Sequence, residues 1–247
     1  MTLTVALIGS DGIVAATDSR GTFGDPRGTT AQNDTMQKLF RVTEAAVITT
    51  AGTAELASQL MVEIQQKINE EGAIGVTRVM EITREVTRAR YGEWFASFQI
   101  QQVAGALTPV RPTLQMIITG YDPDADGALT QPQVYQLAAE FDFAPMRSSH
   151  GFALQGVPQY ALYLLNRLYA IGSSSGELKA LAAYVITETA SQDGKVGGPV
   201  QMAMVRVGGG CDILTEEQVD EVIGSNVERS EKLRASFFAD GSKKRGH

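Results

Sequence analysis

TLTVALIGSDGIVAATDSR, residues 2–20, is the stretch from which the fold of this chain can be worked out. Both ends of it are apolar runs with the period of a β-strand, and Gly9-Ser10-Asp11-Gly12 between them is a tight-turn sequence. The stretch therefore predicts a β-hairpin that folds the chain back on itself. In this hairpin Asp18 returns to the level of Thr2.

Thr2 directly follows Met1, and a residue as small as threonine in second place favours removal of the initiator methionine. We therefore expect Thr2 to be the N-terminal residue of the mature protein. Such a residue carries a hydroxyl nucleophile and an amine together, and the amine, whose pKa is roughly 7.7–8.0, can accept the hydroxyl proton near neutral pH. The alternative interpretation is that Met-Thr is only a common start of a protein.

Composition and charge exclude several classes of protein. Of the 247 residues, 43% are hydrophobic and 20% are charged, which is typical of a globular protein with a large core. A formal net charge of −7 argues against nucleic acid as a partner, and no run is apolar and long enough to predict a membrane span. A single cysteine, the lack of a signal-peptide pattern and only two histidines predict a cytoplasmic protein without a disulfide, a metal or a cofactor.

Beyond the hairpin, groups of predicted strands alternate with pairs of predicted helices. Two strands are followed by two helices, further strands, a second helix pair, a late strand and a charged helix over about residues 215–238. This order predicts an α+β fold in which two antiparallel sheets pack face to face, with a helix pair on each outer side. Because no stretch resembles a linker, we expect one domain over residues 1–247, ending in a short basic tail. The segment from Trp94 to Leu107 is ambiguous between helix and loop.

Asp122-Pro123-Asp124-Ala125-Asp126-Gly127 matches the first half of a calcium-binding loop, but Gln133 stands where such a loop requires glutamate. Because strands are predicted on both sides, a hairpin turn explains these residues better than a calcium site does. Cys211 has no histidine nearby and is interpreted as structural.

Lys38 and Gly52 fit the chemistry of an N-terminal threonine. A cation at Lys38 would keep the amine neutral and stabilise an alkoxide, and Asp18 would hold the lysine in place. Gly52 lies between a predicted strand and a predicted helix, so its N–H can point at a developing oxyanion, where a side chain would obstruct the substrate. Taken singly, Lys38 is explained as a surface lysine and Gly52 as a turn glycine. We expect loss of Lys38 to abolish activity with little effect on folding, because such a lysine adds little to the core.

These segments resemble the proteasome β-subunit family, which includes the bacterial HslV and Anbu-type proteins. The resemblance rests on residues 2–7, 11–22, 38–40 and 50–54, with looser support from residues 118–122, 156–165 and 193–198. It implies an N-terminal-nucleophile hydrolase with a four-layer αββα sandwich. It also implies a threonine peptidase that acts within a self-compartmentalised homo-oligomer.

For the matching positions, the resemblance implies specific roles. Thr2 would be the nucleophile and, through its amine, the general base. Lys38 and Asp18 would adjust the reactivity of Thr2, and the main-chain N–H of Gly52 would stabilise the oxyanion. The substrate contacts that the resemblance implies are the main chain of Thr22 and a small uncharged pocket at Thr50 and Ala54.

The chain departs from the family at two serines that normally assist the amine, because Gln155 and Val196 occupy their places. An amide does not titrate and a valine side chain forms no hydrogen bond, so the amine would rely on Lys38, Asp18 and Asp193. We therefore expect weak hydrolysis of generic short peptides. Restoring both serines is expected to raise turnover if the site is an impaired protease.

The implied partners are peptide or unfolded-protein substrates, further copies of the chain in a ring or helical assembly, and, as a candidate, an ATPase unfoldase. Two alternatives remain open: a catalytically silent proteasome-like assembly subunit, and a small-molecule amidase or transpeptidase with the same nucleophile. A silent relative is expected to lose the nucleophile or the lysine. This chain keeps both, which favours an enzyme.

Overall fold

Two sheets, each of five antiparallel strands, form the centre of the protein. The computed structural model describes residues 2–25, 28–96, 100–103, 106–109 and 111–238. The strands are β1 Leu3–Ile8, β2 Gly12–Thr17, β3 Gly21–Asp25, β4 Gly28–Asn33, β5 Leu39–Arg41, β6 Ala46–Gly52, β7 Ile100–Val103, β8 Ala106–Pro109, β9 Leu114–Pro123, β10 Leu129–Ala138, β11 Met146–Arg147, β12 Phe152–Gly156, β13 Gln201–Arg206 and β14 Cys211–Ile213. The helices are α1 Ala54–Glu71, α2 Val76–Trp94, α3 Pro158–Leu168, α4 Ser175–Gln192 and α5 Glu216–Phe238.

β1 and β2 form the hairpin that the sequence predicts, and they lie inside the first sheet, whose strand order is β12-β1-β2-β13-β14. Thr4 lies opposite Thr17 in this hairpin. The N–H of Asp18 donates to the carbonyl of Leu3 at 3.2 Å. Asp18 therefore returns to the start of β1, as predicted.

The second sheet has the order β11-β10-β9-β6-β5 and packs face to face with the first. Leu3 and Val5 of β1 point outwards into a buried cluster with α3 and α4, whereas Ala6 points inwards to Ile117 of β9. α1 and α2 cover the outer face of the second sheet around Ile118. Burial of each large aliphatic side chain in these layers stabilises the fold by roughly 1.5–3 kcal/mol. The predicted αββα sandwich is thus confirmed.

Two short strands, β11 and β14, were not predicted, because two or three residues carry no readable period. β14 pairs with β13 across the turn Gly208-Gly209-Gly210, whose φ angles of 82°, 102° and 98° lie in the left-handed region that favours glycine. The ambiguous segment from Trp94 to Leu107 contains the end of α2 and most of the β7–β8 hairpin.

Residues 122–127 span the end of β9 and the turn that leads to β10. The Asp124 carboxylate accepts from the N–H groups of Asp126 and Ala128 at 3.0 and 2.9 Å and from the Thr130 hydroxyl at 2.9 Å. These hydrogen bonds close a hairpin turn, in agreement with the turn interpretation of this motif.

α5 begins and ends close to the predicted positions. Its first half packs on α4, and Val219 is 2% exposed, whereas Leu233 and Phe237 are 59% and 74% exposed. The predicted apolar stripe is therefore buried only in its first half. The basic tail and Met1 lie outside the described residues. Across the part of the chain that the structure describes, none of the helices is both long and apolar enough for a membrane span.

Candidate active site

Asp18 and Lys38 form a buried ion pair at the end of the β1–β2 hairpin. Lys38 Nζ lies 3.0 Å from Asp18 Oδ1 and donates a second hydrogen bond to the carbonyl of Arg20 at 2.6 Å. The Asp18 side chain is fully buried, and the Lys38 side chain is 5% exposed. The surface-lysine interpretation of Lys38 is therefore wrong.

Main-chain N–H groups hold both oxygens of the Asp18 carboxylate. Oδ1 accepts from Leu3 at 3.0 Å, and Oδ2 accepts from Arg20 at 3.2 Å and from Gly197 at 3.0 Å. These charge-assisted hydrogen bonds fix the orientation of the carboxylate. Because Leu3 directly follows Thr2, the ion pair is bonded to the main chain next to the candidate nucleophile.

Burial acts on both charges of the pair. It raises the pKa of the Asp18 carboxyl above its ordinary value, against the lowering effect of Lys38 and of the N–H groups of Leu3 and Gly197. It lowers the pKa of the Lys38 ammonium below its ordinary value, against the raising effect of Asp18. Each charge therefore depends on the other, since either one alone would be strongly disfavoured in this surrounding.

Thr2 is held through its main chain immediately before β1. Its carbonyl accepts from the N–H of Val157 at 2.9 Å, and the residue is 4% exposed. Gly156 packs directly on the same carbonyl, because its φ is 94° and a Cβ there would lie 1.7 Å from the Thr2 oxygen. Only glycine allows this approach, which fixes the main chain of Thr2 relative to β12.

Arg20 and Asp34 are neighbours of the site whose roles no sequence motif predicts. Arg20 donates to the two carboxylate oxygens of Asp34 at 2.7 and 2.8 Å and to the carbonyl of Gly194 at 3.2 Å. The guanidinium also lies against Gly197, where a Cβ would be 2.6 Å from its central carbon. Arg20 thereby holds the loop that delivers the Gly197 N–H to Asp18. In the sequence, only the position of Arg20 two residues after Asp18 indicates that it lies near the site.

Gly52 ends β6 with a φ of 108°, and a Cβ there would lie 2.3 Å from the carbonyl oxygen of Thr113. Close packing against Thr113, just before β9, thus requires a glycine here independently of any access for a substrate. Two residues earlier, the N–H of Thr50 donates to the carbonyl of Lys38 at 2.9 Å. The end of β6 therefore lies beside the ion pair, and the helix α1 begins at Ala54. The oxyanion role of the Gly52 N–H stays a prediction.

Known proteins with a similar sequence or structure identify the family. A sequence model of the family described as "Proteasome subunit" matches residues 2–205, which include all of the residues described above. The chain belongs to the proteasome subunit family. The resemblance seen in the sequence is thereby confirmed.

The other comparisons bear on the fold. A search of curated proteins finds no match for this proteasome-family chain. Among solved structures, a similar chain is the Anbu (Gly-1) mutant from Hyphomicrobium sp. strain MC1, at a TM-score of 0.68 and 17% identity. The match covers 100% of this chain and 99% of that chain. At this identity the likeness shows that the two chains share the proteasome-type fold.

The three substrate contacts implied by the proteasome family lie on three elements, β6, α1 and β3. Thr50 and Ala54 lie two residues before and after Gly52, on β6 and α1, and Thr50 is only 3% exposed. Thr22 lies on β3, two residues after the Arg20 carbonyl that binds Lys38. Their contacts to a substrate stay predictions.

Asp193 lies directly after α4, in the loop that Arg20 holds. Its Oδ1 accepts from the N–H of Lys195 at 2.9 Å, and within the described residues its carboxylate forms no hydrogen bond to Asp18 or Lys38. Asp193 therefore shapes this loop, and its contact with the amine of Thr2 stays a prediction.

Val196 and Gln155 occupy different surroundings. Val196 is fully buried in the apolar cluster between the first sheet and α3–α4, where a hydroxyl without a partner costs roughly 1–3 kcal/mol. Restoring both proteasome-family serines is therefore expected to lower stability, and the higher turnover expected from the sequence stays a prediction. Gln155 lies opposite Thr4, so both side chains share one face of the sheet. That face is turned to the second sheet, because the Thr4 hydroxyl bonds Thr49 of β6 at 2.5 Å.

Proposed function

We propose that the chain is a threonine-type peptide hydrolase whose nucleophile is Thr2, freed by removal of Met1. The observation that carries the proposal is the buried Asp18–Lys38 pair, which is bonded to the main chain one residue after Thr2. Buried charges with shifted pKa values are typical of functional sites. At other places in a protein they are uncommon, because removing a charge from water lowers the stability of the fold. The position of this pair, bonded one residue after Thr2, supports the hydrolase over a silent assembly subunit.

In this mechanism the neutral amine of Thr2 accepts the Oγ proton while Oγ forms a bond to the scissile carbonyl carbon. The cationic Lys38 keeps the amine neutral and, together with the N–H of Gly52, stabilises the oxyanion. The amine then passes its proton to the leaving nitrogen as the C–N bond breaks, which leaves an ester on Thr2. Water hydrolyses the ester by the same route, with the amine as its base, and the threonine hydroxyl is restored.

The proposal is tested by the intact mass of the purified full-length protein before and after exposure to a β-lactone, which acylates activated hydroxyl groups. We expect loss of Met1 and one acyl adduct per chain, located on Thr2 by mass spectrometry of the N-terminal peptide. Protein that keeps Met1 and stays unlabelled would instead support the silent assembly subunit. Labelled protein that hydrolyses small amides but no peptides would support the amidase.

We also propose that copies of the chain associate through the outer surface of α3, α4 and α5. Proteasome-family proteins typically form oligomers. Tyr163 of α3 and Ile171 after it are 61% and 89% exposed, and Phe237 of α5 is 74% exposed. On the same helices, Leu168 of α3 and Leu233 of α5 line a groove of about 530 Å³ and are 45% and 59% exposed. Such a surface is typical of a protein interface.

Light scattering of the purified protein at micromolar concentration should therefore give a mass several times that of the 26.5 kDa chain. We expect Leu233→Asp with Phe237→Asp to lower this mass, because the charges would have to be buried in the interface. The control is Val62→Asp on α1, where the side chain is 70% exposed outside this surface. A monomeric wild-type protein, or equal loss in the control, would contradict the proposed interface.

A further inference from the structure

Gln201, the first residue of β13, forms three hydrogen bonds with the segment that carries Lys38. Its Oε1 accepts from the N–H of Lys38 at 2.9 Å and from the N–H of Leu39 at 3.1 Å. Its Nε2 donates to the carbonyl of Met36 at 2.7 Å. One side-chain amide therefore bonds three main-chain groups within four residues.

The segment that Gln201 holds has no regular structure. Residues 35–38 lie between β4 and β5 and belong to neither strand, so their main-chain groups lack the partners that a sheet would give them. The N–H of Met36 bonds the carbonyl of Ser19 at 3.1 Å, and the carbonyl of Lys38 accepts from Thr50. Gln201 bonds two further main-chain groups of this segment, the N–H of Lys38 and the carbonyl of Met36.

Gln201 also connects the two sheets at the site. It lies opposite Thr17 in the first sheet, directly beside Asp18, whereas Lys38 leads into β5 of the second sheet. The carboxylate therefore directly follows a strand of the first sheet, the ammonium directly precedes a strand of the second, and the Gln201 amide bonds across from one to the other.

We propose that Gln201 is a positioning residue, which fixes the main chain of Lys38 so that its Nζ reaches Asp18 Oδ1 and the Arg20 carbonyl together. The proposal rests on the proposed function, since it assigns Gln201 an effect on the hydrolysis at Thr2 through Lys38. A displacement of about 1 Å in a catalytic group can lower a rate by about 100-fold. Gln201 fixes the main chain from which the Lys38 side chain extends. It therefore affects the rate of hydrolysis without contacting the substrate.

Two substitutions separate the bonds of Gln201, and a third serves as control. Gln201→Met has a similar length and removes all three hydrogen bonds. Gln201→Glu keeps the two acceptor bonds to Lys38 and Leu39 and loses the donor to Met36. The control is Gln65→Met on α1, because the amide of Gln65 likewise bonds a main-chain carbonyl, that of Val42 at 3.0 Å, away from the ion pair.

The experiment measures kcat and KM for a fluorogenic peptide, with thermal unfolding recorded for each variant. For Gln201→Met we expect kcat to fall by about 100-fold while KM changes less than about threefold, because the misplaced group acts in the transition state. Gln201→Glu should lie between this variant and the wild type. Gln65→Met should keep both constants, although it also loses a bond to the main chain. Unchanged kcat in Gln201→Met, an equal loss in Gln65→Met, or a glutamate variant no better than the methionine variant would overturn the proposal.

Amide hydrogen exchange decides the proposal independently of activity. The N–H groups of Lys38 and Leu39 should exchange at least about tenfold faster in Gln201→Met than in the wild type, and should stay protected in Gln201→Glu. If the wild-type protein hydrolyses no peptide, the proposed function fails, and this exchange alone supports or overturns the positioning role. Unchanged protection in Gln201→Met would overturn it in either case.

Discussion

Lys38→Ala should lower turnover by at least about 100-fold to 1,000-fold, because it removes a charge that acts on the oxyanion and the amine. It should also lower the free energy of unfolding by about 3–5 kcal/mol, since it leaves the carboxylate of Asp18 buried without its partner. This second effect corrects the expectation from the sequence that folding is hardly affected. Peptide turnover and urea unfolding at neutral pH measure the two effects separately.

The matched control removes both charges at once. Asp18→Asn combined with Lys38→Met leaves no uncompensated charge, so we expect it to recover much of the stability that Lys38→Ala loses. It should recover none of the turnover, because the cation is still missing. A Lys38→Ala variant with full turnover would show that the cation has no catalytic role. If Lys38→Ala unfolded at the same urea concentration as the wild type, Asp18 would not be left charged and buried in the variant.

The pH dependence of the stability of Lys38→Ala tests whether the loss of stability comes from the buried charge of Asp18. Burial already raises the pKa of the folded-state Asp18 carboxyl, and loss of Lys38 removes a group that opposes this rise. A carboxyl with a raised folded-state pKa is neutral in both states below its unfolded pKa, about 3.9, so the loss of stability disappears there. As pH rises through the folded pKa, the folded state must bury the charge, and the loss grows to its full size. The stability curves of variant and wild type should therefore converge towards pH 4.

The hairpin, its turn and the return of Asp18 could be predicted because they depend on residues close together in the chain. The strand period and the turn sequence between residues 2 and 20 contain all that the hairpin needs. Lys38 and Gly52 could be identified as candidates through the family motifs. The surroundings of Lys38 could not, since its main-chain N–H is bonded by Gln201, which is 163 residues away in the chain.

The groups that bond the Asp18 carboxylate could not be predicted from the sequence either. Gly197 bonds Asp18 across 179 positions of sequence, and Arg20 bonds Gly194 across 174. No local pattern encodes such contacts, because each residue is ordinary in its own segment. Gly52 illustrates a related case: the structure requires a glycine there because of the carbonyl of Thr113, which is 61 positions away in the chain, just before β9. Sequence patterns therefore located the candidate groups, and only the structure shows what holds them in place.

Thr2→Val should abolish both peptide turnover and acylation by the β-lactone, with a loss of about 10,000-fold or more, as for other enzymes that lose their nucleophile. Valine replaces the hydroxyl by a methyl group of similar size, and the bond from the Val157 N–H to the carbonyl of residue 2 is kept. Little stability should therefore be lost. Because valine is also small enough for removal of Met1, the variant keeps the free amine and tests the hydroxyl alone. Intact mass confirms the removal in each variant.

The comparison with Thr2→Ser completes this test. Serine keeps the hydroxyl and the amine but lacks the β-branch that restricts χ1, so the hydroxyl samples more rotamers and the rate should fall only moderately, by about tenfold. Acylation in the serine variant and none in the valine variant would assign the nucleophile to the hydroxyl of residue 2. Turnover that survives in Thr2→Val would place the nucleophile elsewhere, and the Asp18–Lys38 pair would then have to act on another group. Because Asp18 Oδ1 accepts from Leu3 N at 3.0 Å, the main chain of residue 2 lies beside the pair. Its hydroxyl is therefore the group that we expect the pair to activate.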